Sequence, residues 1–242
     1  MNTKQLLDNI VTDVRNWFDT NAPKACAVIG ISGGKDSTIA AGILVRALGA
    51  DRVIGVMMPN GVQPDINDSE RVISALKIKG YKININNCFT EITNTLVKNG
   101  IDVNNDVEVN LQPRLRMATL YAVAQSLPHG GIVINTCNKS EDYIGYATKY
   151  GDCAGDISIL GNLLVSEIYA IGDVMSEIPN DLVHKTPSDG LWGVSDEDKI
   201  GFTYANLEDY ILTGTSGIEP IDKKIEHMHK ISRHKYNPMY VC

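Results

Sequence analysis

The sequence predicts an α/β protein whose strands lie parallel in an open sheet with helices on both faces. Three observations carry this. Short runs rich in Val and Ile, such as ACAVIG (Ala25–Gly30), RVIGVM (Arg52–Met57) and GIVIN (Gly131–Asn135), read as strands buried on both faces. Stretches of helical periodicity separate these runs, and strand–helix alternation pairs strands in parallel. The first run also ends in a glycine turn, GISGGKDS (Gly30–Ser37), that opens directly into a helix.

Taken in order, Lys4–Asp19 alternates polar and apolar residues at helical spacing, and Ala25–Gly30 is the first buried strand. Ser37–Leu48 is the helix opened by the glycine turn. Arg52–Met57 is the second strand, Ile66–Ile78 a helix, and Tyr81–Ile85 the third strand. Thr90–Lys98 and Leu111–Ser126 are helices, Gly131–Asn135 the fourth strand, and Leu163–Met175, Leu207–Thr213 and Pro220–Arg233 further helices. His184–Lys199 (HKTPSDGLWGVSDEDK) is polar and rich in turn residues, and reads as a lid or as a long connection. The order of elements gives a Rossmann-like open parallel sheet in a single domain over 1–242.

Composition excludes several classes. No apolar run approaches the ~20 residues of a membrane span. The first residues lack the apolar segment of a signal peptide, so a cytoplasmic protein is expected with no membrane partner. Five cysteines without a C-x-x-C pair argue against a disulfide framework or a structural zinc site. The formal charge of −7 argues against a general nucleic-acid surface and leaves room for a small anion held by local cations.

The turn Gly30-Ile31-Ser32-Gly33-Gly34-Lys35-Asp36-Ser37 is the main functional signal. Gly33 and Gly34 let backbone N–H groups converge on a ligand, and the helix N-terminus adds its free N–H groups and the positive end of its dipole. The bland alternative is a tight strand-to-helix turn with Asp36 or Ser37 as the N-cap. G-x-x-x-x-G-K-[ST] does not fit, because Asp36 follows Lys35, and G-x-G-x-x-G does not fit either. A carboxylate in an anion cradle makes sense if Mg²⁺ sits between it and phosphates.

The pattern S-G-G-x-D-S resembles the ATP loop of the adenine-nucleotide α-hydrolase-like, ATP-pyrophosphatase superfamily. Later segments resemble the NAD synthetase family: Asn110 to Met117 (NLQPRLRM), Asn138 to Tyr143 (NKSEDY), Thr148 to Asp152 (TKYGD), Pro187-Ser188 with Leu191-Trp192, Asp196-Glu197, Gly201 to Tyr204 and His234-Lys235. The matches run in family order from about residue 25 to 237, nearly the whole chain. The resemblance implies ATP-dependent amidation of deamido-NAD with ammonia through an acyl-adenylate, giving NAD, AMP and pyrophosphate. It implies the ammonia-using form without a glutaminase domain, Mg²⁺ as cofactor, and a homodimer. It implies ATP contacts from Gly30, Ile31, Ser32, Gly33, Gly34, Lys35, Asp36, Ser37, Thr136 and Ser188. Asp36 and Glu141 would be the metal and catalytic pair, and Arg114, Lys149, Asp156, His234 and Lys235 would hold deamido-NAD. Arg116, ~200° from Arg114 around the helix, is expected in a salt bridge or in solvent.

Two positions depart from the family pattern. Val165 stands where the family usually has a lysine that contacts ATP phosphate, and no lysine lies between Lys149 and Lys185; Lys35 or Lys185 would be the substitute. Cys153-Ala154 replaces a glycine pair. The departures keep a non-catalytic nucleotide-binding protein in view as an alternative. A tRNA-modifying enzyme of the same superfamily is a second one, weakened by the acidic charge and the missing C-x-x-C.

Overall fold

A computed structural model describes residues 2–185 and 195–242. Its sheet has five parallel strands, β1 (Cys26–Gly30), β2 (Val53–Met57), β3 (Lys79–Lys82), β4 (Gly131–Asn135) and β5 (Ile157–Ser158), in the order β3-β2-β1-β4-β5. Val28 pairs with Ile54 on one side and Val133 on the other. All five residues of β2 are buried, which is why its sequence is continuously apolar rather than alternating. The chain runs outward from β1 through β2 to β3, then crosses back to place β4 on the far side of β1. Strand order therefore reverses between β1 and β4, and the carboxyl ends of these two strands border the crevice where open α/β sheets bind ligands.

One face is covered by α1 (Thr3–Asn21), α2 (Lys35–Leu48), α3 (Ile66–Leu76), α7 (Val165–Asp173) and α8 (Asn180–Val183), around a core that includes Phe18, Ile29, Ile39, Leu44 and Ile168. On the other face α5 (Asn105–Ser126) lies over β1 and β4, with α4 (Asn86–Lys98) beside it; Val28, Val56, Met117, Leu120 and Val133 fill the space between. A third cluster joins α6 (Lys139–Ile144), α10 (Tyr204–Thr213) and α11 (Glu219–Ser232) around Leu207 and Ile225, with α9 (Asp196–Ile200) supplying Ile200.

The expected elements shift in a few places. The third strand is regular over Lys79–Lys82 rather than Tyr81–Ile85, although Ile83 N–H and Ile85 N–H still donate to Met57 O and Pro59 O, both at 2.9 Å. It is an edge strand with a largely exposed, polar sequence (KGYK), so an apolar-run criterion misplaces it. Helix α5 begins at Asn105, not Leu111. Asn104 caps it by accepting from Val107 N–H at 3.1 Å, Asp106 and Glu108 lie in its first turn, and it continues through Pro113 despite the lost N–H. The short elements β5, α6, α8 and α9 carry too few residues for a period to be read.

Candidate active site

The glycine turn leaves β1 at the β1/β4 crevice. Ile31 N–H donates to Val56 O at 2.9 Å and its side chain is buried, so this residue extends the sheet instead of offering a donor. Gly33 has φ +81°, and a Cβ there would lie 2.7 Å from Asp68 Cβ and 2.9 Å from the Ser69 backbone nitrogen. Both the turn and the close approach of α3 require glycine at this position. Gly34 is the N-cap of α2 without a side-chain cap bond. The two serines fold the loop on itself: Ser32 N–H and Gly34 N–H donate to Ser37 Oγ and Ser32 Oγ, each at 3.2 Å, and the two hydroxyls lie 3.1 Å apart. A bound anion would exchange these internal bonds for its own.

Asp36 stands in the first turn of α2. Its Oδ1 accepts from Asn138 Nδ2 at 3.2 Å and its Oδ2 from Lys35 Nζ at 2.7 Å. Asn138 is fully buried and also caps α6, accepting from Glu141 N–H at 3.0 Å. One amide thus ties the start of α2 to the short helix that carries Glu141. Burial, and then the neighbouring Asp36 carboxylate, push the Glu141 carboxyl up to about 8; Lys35 pulls the other way and Asp196 adds to the rise. Among the described residues no group of three or more His, Cys, Asp or Glu could enclose a metal ion. Two carboxylates beside an anion cradle are nevertheless the donor set that Mg²⁺ uses when phosphate oxygens and water complete its shell. The residues fit such an ion.

Thr136 follows β4, partly exposed, on the opposite lip of the crevice from the glycine turn. The cations expected on a second substrate gather around the loop after α6. Arg114 Nε donates to Lys149 O at 3.2 Å, Lys149 Nζ to His234 O at 2.7 Å, and Lys235 Nζ to Gly145 O and Ala147 O, both at 2.7 Å. Asp156 is set apart from these. Its Oδ2 accepts from Val133 N–H at 2.8 Å and its Oδ1 from Tyr121 OH at 3.0 Å. The expectation for Arg116 is corrected: it makes no salt bridge among the described residues and is not in solvent, but donates from Nε to Met58 O at 3.1 Å beneath the crevice. Ser188 lies outside the described residues, as does most of the polar stretch considered as a lid. Val165 begins α7 and is buried in the cluster that also holds Ile144, Phe202 and Tyr204. Of its two candidate substitutes, Lys185 pairs with Asp65 at 2.7 Å and Asp68 at 2.8 Å, and Lys35 lies inside the site on Asp36.

A model of the NAD synthase family matches residues 6–239. The chain belongs to the NAD synthase family. An NH(3)-dependent NAD(+) synthetase of Finegoldia magna is 35% identical over 240 residues, 96% of each chain. Among solved structures, the NMN synthetase from Francisella tularensis superposes with a TM-score of 0.90 at 33% identity, covering 100% of this chain and 99% of that one. The NH3-dependent NAD synthetase from Campylobacter jejuni, in complex with the nitrate ion, follows the same fold with a TM-score of 0.81 at 21% identity, covering 100% of both chains.

In this NAD synthase chain several site residues were not singled out from the sequence. Asn138 opens the NKSEDY motif, and an Asn three residues before a Glu at a helix start is a readable cap signal. Tyr204 is buried with its hydroxyl unpartnered among the described residues, and burial followed by the nearby Glu141, Asp196 and Asp36 charges raises its pKa. Tyr169, one helical turn after Val165, has its ring 5.8 Å from Lys35 Nζ. No spacing rule would have placed these two rings around one ammonium.

Proposed function

We propose that this chain makes NAD by amidating deamido-NAD with ammonia at the expense of ATP, releasing AMP and pyrophosphate. The loop amides and the N-terminus of α2 receive the triphosphate, with Ser32 and Ser37 turning their hydroxyls to it. Thr136 meets the nucleotide from β4, and Ser188 adds a hydroxyl. The nicotinate carboxylate attacks the α-phosphorus, and pyrophosphate leaves into the loop. Ammonia then attacks the acyl-adenylate carbonyl and expels AMP. Mg²⁺ held by Asp36 and Glu141 would supply the charge neutralisation that the leaving pyrophosphate needs. Catalysis is otherwise positioning, and no side-chain nucleophile is required.

Arg114, Lys149, His234 and Lys235 form the cationic wall for deamido-NAD. All four donate to main-chain carbonyls, His234 from Nδ1 to Ile231 O at 2.9 Å, which holds the wall in shape; Asp156 would have to release Val133 N–H or Tyr121 to reach a ligand. The protein acts as a homodimer. The observation that carries the reading is that Asp36 and Glu141, in the first turns of α2 and α6, are tied together through Asn138 beside a glycine turn suited to phosphate. Incubating the protein with Mg-ATP, deamido-NAD and ammonium should give NAD and AMP in equal amounts. ADP as product, or ATP bound without turnover, would overturn it.

A second reading is favoured by the likeness to the NMN synthetase: amidation of the mononucleotide acid by the same chemistry. The two differ only in whether the substrate carries an adenylate half. The ratio of kcat/KM for deamido-NAD and for nicotinate mononucleotide decides between them.

A further inference from the structure

Lys35 occupies a position where two physical effects oppose a cation and its one ion pair has an unusual geometry. It is the first residue of α2, at the positive end of the helix dipole. Its side chain is 3% exposed, so the ammonium has lost its water. Asp36 is its immediate neighbour on a helix, where successive side chains diverge by ~100° and do not ordinarily meet. The stem nevertheless curls back and places Nζ 2.7 Å from Asp36 Oδ2, between the rings of Tyr169 and Tyr204 at 5.8 and 5.9 Å from their centroids. Among the described residues Asp36 is its one hydrogen-bond partner, although an ammonium carries three donors. An apolar side chain would fill the same slot between two tyrosines with none of these penalties.

What offsets them is the surrounding negative charge. Asp36 touches Lys35, Glu141 lies close to both, Asp196 is buried nearby at 7% exposure, and the Tyr204 hydroxyl, unpartnered among the described residues, adjoins them. We propose that Lys35 is the resident counter-ion of the Asp36–Glu141 pair: it stands in for a cation while the loop is free of nucleotide, and turns to the phosphates when nucleotide and metal arrive together. The pair then does not take up a divalent ion by itself, and metal uptake is conditional on nucleotide. This inference rests on the reading of Asp36 and Glu141 as the metal pair.

The test uses Mn²⁺ as the probe, with free ion followed by electron paramagnetic resonance at pH 7.5. Without nucleotide, Lys35→Met should bind Mn²⁺ at least tenfold more tightly than the wild type, and Lys35→Arg should not. With ATP present the order reverses, and Lys35→Met should bind Mn-ATP about tenfold more weakly. Lys35→Gln is the second neutral variant should Met disturb the tyrosine slot. Equal nucleotide-free Mn²⁺ affinity in the wild type and both neutral variants overturns the proposal. If Asp36→Asn still weakens Mn-ATP binding in that case, the metal pair stands and only the counter-ion falls. If the affinity gained in Lys35→Met survives Asp36→Asn in the same chain, the ion is elsewhere and both ideas fall.

Discussion

Asn138 shows how much a single buried amide can hold together. Its Nδ2 steadies Asp36 and its Oδ1 caps the helix of Glu141, so both members of the acidic pair depend on it. Asn138→Ala should lose a cap worth ~1 kcal/mol and a hydrogen bond to a charged group worth about 1.5–3 kcal/mol. Asn138→Asp separates the two functions. Aspartate caps a helix as well as asparagine does, but it sets a second carboxylate against Asp36. Urea unfolding at neutral pH should therefore show Asn138→Asp no more stable than Asn138→Ala, because a buried carboxylate against Asp36 costs more than the retained cap returns, while KM for Mg-ATP rises more in Asn138→Asp. Equal ATP kinetics in Asn138→Asp and wild type would remove Asn138 from the site. At this scale the sequence made Asp36 and Glu141 legible, because each lies in a short motif whose chemistry can be argued locally. Asn138, Tyr169 and Tyr204 acquire their roles from contacts across more than 100 positions of chain, which no local pattern contains.

Among the elements, α6 matters beyond its six residues. It ends at Gly145 in the left-handed region, φ +68°, with Gly145 N–H donating to Asp142 O and Tyr146 N–H to Glu141 O. Against that end lies α11. His229 Nδ1 is 2.7 Å from Tyr143 O, and the Arg233 guanidinium donates to Asp142 O and Tyr143 O at 2.7 and 3.0 Å. A Cβ on Gly145 would lie 2.1 Å from Ser232 Cβ, an atom that cannot swing away. Gly145→Ala should therefore cost about 2–4 kcal/mol, from overpacking together with left-handed backbone strain. It should also weaken both substrates, since Glu141 and the His234-Lys235 pair are fixed through the same contact. A lowered urea midpoint with unchanged slope, accompanied by raised KM for ATP and deamido-NAD, is the expected result; a drop under 1 kcal/mol would mean that α11 simply shifts. The long periodic helices were readable from sequence to within about four residues, except that α5 starts six residues before its apolar pattern does. Helix α6 and strand β5 were not, because their positions are set by caps and neighbours, as in the Asn138 cap and the pairing of Ile134 with Ile157.

For the whole molecule, strand–helix alternation and the glycine turn were enough to give an open parallel sheet and to put the crevice after β1. The strand order required the crossover to β4, which sequence does not specify. Surface composition then points to assembly. Helix α4 is amphipathic and runs 13 residues, yet none of them is buried. Ile92 and Val97 on it are 39% and 62% exposed, and Ile101 just beyond is 51% exposed. Ala124 of the adjoining α5 is buried against Gly131 within the chain, whereas Ala118 and Ala122 remain exposed. An amphipathic helix left uncovered beside a small-residue face is the surface that a second copy would bury in the proposed homodimer. Sedimentation at micromolar concentration should give a dimer for the wild type and a monomer for Ile92→Glu with Val97→Glu, because each charge would be trapped in an apolar interface. The same pair of changes on a solvated helix would alter stability by no more than about 0.5 kcal/mol, so a folded monomer separates interface from core. A wild type that sediments as a monomer, or a charged variant that still dimerises, would move the interface off α4.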